Sequence, residues 1–165
     1  LKENEIKKYI DKKVKEELST IDEAVEAFRD KKLETLLRKY IKYLGLIENI
    51  NNKINYINSG SYVVSNSNSD GEKVQTSHKF KDHVEKLEDT LNLYEQKRAK
   101  LIYITTEIKI ALEIIKVEEY YQIIPLTYFD KLKVEQIIGT LGISRSTYFE
   151  RKNELLSEIK SVMFI

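Results

Sequence analysis

Two long apolar stripes constrain this chain more than any other feature. Leu33, Leu36, Tyr40, Tyr43, Ile47, Ile50, Ile54 and Ile57 follow one another at alternating steps of three and four, and Val84, Leu87, Leu91, Tyr94, Leu101, Ile108, Leu112 and Ile115 keep the same phase, broken only at Arg98 and Thr105. That spacing is the a/d repeat of a coiled coil, which puts every member on one helical seam that has to be buried. Scarce glycine (5) and proline (1), with 33% charged residues, favour long helices with solvated faces over a sandwich or a parallel sheet. The expected fold is all-α: a long antiparallel helical hairpin, or the same two seams shared between two chains, followed by a C-terminal helix-turn-helix module.

The stripes divide the chain into four segments. Residues 1–57 form an N-terminal helical segment and the first hairpin helix, and residues 79–116 the second hairpin helix. Between them, 58–78 ("NSGSYVVSNSNSDGEKVQTSH") is rich in Ser, Asn and Gly without a helical stripe, which predicts a flexible loop. Residues 117–165 form the terminal module. Ahead of the first stripe, Ile6, Ile10, Val14 and Leu18 mark a shorter helix; in "STIDE", Thr20 with Glu23 three residues later is a capping box expected to restart the helix after a bend.

Several classes are excluded. Cysteine is absent, which removes disulfides and thiolate zinc sites, and the two histidines, His78 and His83, are five apart and do not share a helical face for a metal. No P-loop, dinucleotide turn or nucleophile elbow occurs, so no catalytic residue, cofactor or metal is expected. No apolar run approaches the roughly 20 residues that span a bilayer, and the charged start carries no signal-peptide core, which predicts a cytoplasmic protein without a membrane partner. With a net charge of +1, any nucleic-acid binding has to come from a local arrangement.

That arrangement lies in the last fifty residues. Pro125 lacks an N–H and is expected to kink or end a helix that begins near Val117. A short helix follows over about 133–140, with Val134, Ile137 and Ile138 turned inward. Gly142 suits a left-handed turn flanked by the anchors Leu141 and Ile143, and Ser144 is a good N-cap for the next helix. On that helix Tyr148, Leu155 and Ile159 can pack, while Arg145, Ser146, Thr147, Phe149 and Lys152 point outward. Short or flexible donors in the first turn suit a major groove: Arg can bond guanine in bidentate fashion, and hydroxyls can bond bases or phosphates. The plain alternative is a tight corner in a helical bundle, with no role beyond packing.

The stretch "LTYFDKLKVEQIIGTLGISRSTYFERKNELL", residues 126–156, resembles the promoter-reading C-terminal helix-turn-helix of sigma factors. With the hairpin and the Ser/Asn-rich middle, the layout is similar to the ArpU and RinA type regulators of Gram-positive phages. The resemblance implies a supporting helix at 134–140, a turn at 141–143 and a recognition helix at 144–156. It implies an activator of late phage genes in a bacterial host, with double-stranded promoter DNA and RNA polymerase as partners. Ser144, Arg145, Ser146, Thr147, Phe149, Arg151, Lys152 and Lys133 are the expected DNA contacts. Ile138 stands where such motifs hold a small residue, Glu150 where a basic or neutral one is common, and Arg151 where an apolar one is usual. Because acids nearly balance bases in this module, one copy should bind weakly, and a homo-oligomer, most simply a dimer, is expected. The rival reading in another functional class is a phage small terminase subunit that binds DNA for genome packaging.

Overall fold

In the computed structural model, which describes residues 2–60 and 76–164, every regular element is an α-helix. They are α1 (Lys2–Asn58), α2 (Thr76–Ile115), α3 (Ile123–Tyr128), α4 (Val134–Leu141) and α5 (Arg145–Met163). None is long and apolar enough to cross a membrane among the described residues. Most of the loop expected at 58–78 lies outside the described residues. The chain forms two compact units: Lys39–Ile110, and Leu1–Arg38 together with Ala111–Ile165.

The unit Lys39–Ile110 is the helical hairpin, paired within one chain. Arg98 Nη1 donates to Asn51 Oδ1 at 3.1 Å, and the Lys53 ammonium sits 5.4 Å from the centre of the Tyr94 ring. Residue numbers rise along one helix as they fall along the other, so the pairing is antiparallel. Ile50, Ile54 and Ile108 are buried on the seam, while Tyr43, Ile47, Leu87, Leu91 and Tyr94 are half-buried, since a two-helix seam is covered from one side only. Both breaks in the second stripe are explained. Arg98 keeps its charge at the seam's edge by bonding Asn51, and buried Thr105 returns its hydroxyl to the carbonyls of Leu101 (2.8 Å) and Ile102 (3.1 Å) of its own helix.

The other unit is built around three mutually packed helices, α3, α4 and α5. Its buried residues are Ile123, Ile124 and Tyr128 from α3, Ile137 from α4, Tyr148, Leu155 and Ile159 from α5, Leu33 and Leu37 from α1, and Ala111, Leu112 and Ile115 at the end of α2. Two sequence expectations are corrected here. No bend occurs at 19–23: α1 is continuous, and the Thr20 hydroxyl donates back to the Glu16 carbonyl at 3.0 Å instead of capping a new start. With no Gly or Pro before Gly45, propagation of the helix outweighs the cap. Nor does a helix begin near Val117: α2 ends at Ile115, turns follow, and Pro125 lies in the first turn of α3, where its missing N–H costs nothing.

Since Leu37 is fully buried while Leu44 on the same helix is 42% exposed, the two should respond very differently to truncation. Leu37→Ala is expected to cost about 2–5 kcal/mol and Leu44→Ala less than about 1 kcal/mol, measured by urea unfolding.

Candidate nucleic-acid interface

The corner between α4 and α5 follows from a few local rules. At the start of α4 the Lys133 backbone N–H donates to Gln136 Oε1 at 2.9 Å. The helix ends on Gly142, whose φ of 64° lies in the left-handed region, and the N–H groups of Gly142 and Ile143 both donate to the Ile138 carbonyl. Ser144 then takes an extended conformation and caps α5, its Oγ accepting the Thr147 N–H at 3.1 Å. The same hydroxyl lies 2.9 Å from Ser146 Oγ and 2.8 Å from Thr147 Oγ1. Burial of Tyr148, Leu155 and Ile159 fixes the rotation of α5, and the Tyr148 hydroxyl bonds Thr127 Oγ1 at 3.1 Å. Ile138, flagged as bulky for such a corner, is half-buried and is accommodated.

Of the eight predicted contact residues, Lys133, Phe149 and Lys152 line one cleft and Arg145 lies against Phe149, while Thr147 and Arg151, four residues apart, share the other flank of α5. Ser144, Arg145 and Ser146 are exposed at the N-terminus of α5, and Thr147 is half-buried with its hydroxyl engaged. Arg145 Nη1 donates to Glu135 Oε1 at 2.8 Å across the turn, and its guanidinium lies 5.7 Å from the Phe149 ring. Phe149 packs edge-on to Tyr148 at 5.0 Å, and the half-buried Lys152 reaches over both rings. The Glu135 carboxyl is held below its ordinary range, first by its own backbone N–H and then by Arg145. Arg151 stands apart: six residues beyond Arg145, it lies roughly a third of a turn away round the helix. There it bonds Glu154 Oε2 at 2.7 Å and covers the Tyr120 ring, with Glu154 stabilising its charged form. Glu150 is exposed.

Beside the first turn of α5 opens a cleft of about 600 Å³. Arg38, Lys131, Lys133 and Lys152 line it with Tyr148, Phe149, Thr127, Leu132 and Val134, and no carboxylate is among the lining residues. Lys131 holds a left-handed backbone, φ 55°, a conformation a side chain adopts only at some cost. Arg38 bonds Glu34 at 3.1 Å and covers the buried Tyr128 ring, whose hydroxyl is pushed up first by burial and then by Glu34. Sequence reasoning missed Arg38, which lies far from the corner in the chain and carries no local signal. Lys160 is tied to Asp30 (2.8 Å) and to Glu26, which together favour its charged form. The open cations are therefore Lys131, Lys133 and Lys152, which make no ion pair among the described residues, and they sit together at the cleft. No group of three metal-ligating side chains occurs among the described residues.

These features define an all-α protein in which a long helical hairpin is followed in the chain by a C-terminal corner of short helices. Residues 63–160, more than half of the chain, match the family described as "Protein of unknown function (DUF1492)", and the chain belongs to that family. Neither a curated protein nor a solved structure matches it.

Substitutions at the corner should act through backbone and cap alone, because open space surrounds the Gly142 position. Gly142→Ala, which forces a side chain into φ 64°, and Ser144→Ala, which removes the cap, should each lower stability by about 1 kcal/mol in urea unfolding, with helical content preserved.

Proposed function

We propose that the chain is a sequence-specific double-stranded-DNA-binding transcriptional regulator, of the kind that activates late phage or prophage genes. The first turn of α5 would enter the major groove, and the cleft would hold a phosphate segment. The observation that carries this reading is the pairing of two features on one side of the corner: an exposed, capped helix start bearing Arg145 and Ser146, and an adjoining cleft whose charged lining residues are all cations. A helix start favours a phosphate through its free N–H groups, and lysines beside it fix register on the duplex without reading sequence. Arg145 is then the reader. Its bond to Glu135 is an exposed pair, weak in water, and gives way to a guanine edge while keeping the side chain close to its bonding geometry until contact. Contact with RNA polymerase belongs to the same proposal and rests on the resemblance of the corner to sigma-factor modules.

Footprinting on the genome that encodes the chain would identify a preferred site, and titrations on that site and on random duplex test the roles. Arg145→Ala should cost about 1–3 kcal/mol at the preferred site and much less on random duplex; equal losses would reduce it to a phosphate contact. Lys131→Ala and Lys152→Ala should weaken binding to both duplexes alike and each lower the salt slope by about one. Glu135→Gln should tighten binding, a gain that disappears when Arg145→Ala is added. Absence of any preferred site would overturn the proposal.

A further inference from the structure

Every described side chain between residues 11 and 32 of α1 is exposed, yet this stretch is not uniformly polar. Val14, Leu18, Ile21, Val25 and Phe28, 44–67% exposed, step by four, three, four and three, the spacing of a coiled-coil seam. The chain's own C-terminal module uses a different face of the same helix. Glu26 and Asp30 take Lys160, and Leu33 and Leu37 are buried, again at steps of four, three and four. The two faces lie roughly a third of a turn apart at 3.6 residues per turn, so packing on the second leaves the first open. No described residue covers it.

We propose that this stripe is covered by the same stripe of a second copy, running antiparallel, with Val14 of one chain against Val25 of the other and Leu18 against Ile21. Charge sets the direction. Residues 8–15 hold four lysines against one aspartate, and residues 16–30 hold six carboxylates against one arginine. Parallel pairing would lay the basic residues 8–15 along themselves, whereas antiparallel pairing lays them along 24–31, where Glu26 and Asp30 balance Arg29 and Lys31, and brings Lys15 beside Asp22 at both ends of the seam. Parallel pairing would set Glu17 against Asp22 twice. Five half-open side chains carry on the order of 500 Å² of apolar surface per copy, about 1,000 Å² for the pair, which with flanking lysine stems reaches the lower end of specific interfaces. The stripe and the corner belong to one compact unit, so the symmetric pair would carry two corners at a fixed separation, as a two-fold DNA site requires. Pairing itself does not depend on the DNA reading.

Sedimentation of the full chain without DNA, at micromolar concentration, is expected to show a dimer. Leu18→Asn with Ile21→Asn should raise its dissociation constant at least about 100-fold while circular dichroism stays unchanged. The chain has no cysteine, so Val14→Cys and Val25→Cys chains can be mixed and oxidised, and the disulfide should form between the two variants. A monomer at tens of micromolar, a dimer that survives the double substitution, or crosslinks that join Val14→Cys to itself would each overturn the proposal.

Discussion

Burial of one face of α5 is the constraint on which the rest of the C-terminal unit depends. The two helices ahead of it have six and eight residues, too short to persist in water by themselves. They hold because Ile123, Ile124, Tyr128 and Ile137 share a core with Tyr148, Leu155 and Ile159, and because Leu33, Leu37, Ala111 and Ile115 of the long helices close it. Once Tyr148, Leu155 and Ile159 are inside, the helical repeat decides every other direction: Ser146 and Glu150 lie outward, Arg145, Phe149 and Lys152 line one flank, and Arg151 lies on the other. The corner presents a surface only because its reverse side is fully packed.

Electrostatics then sort the cations that packing has placed. Arg145 meets Glu135, Arg151 meets Glu154, Arg38 meets Glu34, and Lys160 meets Glu26 and Asp30. A count of charges over this region predicts a nearly neutral module, and that count is misleading in one respect. Neutralisation is uneven: pairing takes up Arg145, Arg151, Lys160 and Arg38 and leaves Lys131, Lys133 and Lys152 open at the cleft. A local field of one sign can therefore exist on a chain whose net charge is +1. Exposed pairs such as these add little to stability, so their main consequence is where charge remains.

How much of this was legible in the sequence depended on the range of the interaction. Gly142 in a left-handed turn, Ser144 as a cap, and the packing of Tyr148, Leu155 and Ile159 are set by residues within a turn or two, and periodicity with cap chemistry specified them. The seams were equally plain, because Ile50, Ile54 and Ile108 obey one repeat. Thr20 and Glu23 look like a cap because they have its spacing, but a cap also needs a non-helical backbone, and nothing between Lys2 and Leu44 interrupts the helix. Pro125 was expected to kink or end a helix, but it lies in the first turn of a new one, and nothing local showed that this helix would start two residues before it. Arg38 in the cleft, and Lys160 between Glu26 and Asp30, depend on contacts separated by about a hundred residues or more, which no local pattern records.

The same limit explains why periodicity alone could not say which apolar stripe the chain itself buries. Val14 to Phe28 and Leu33 to Ile57 carry the same alternation of three and four, and each by itself predicts a buried seam. What separates them is the step of five from Phe28 to Leu33, which turns the stripe well over a quarter of the way round α1. Leu33 and Leu37 face the chain's own core, and the residues that keep the earlier phase do not: Lys32, four beyond Phe28, is exposed and reaches over the Phe164 ring. A helix with a single stripe could bury it in one place only. By shifting phase once, α1 offers one face to its own chain and leaves a second exposed, so the two stripes do not depend on the same side chains.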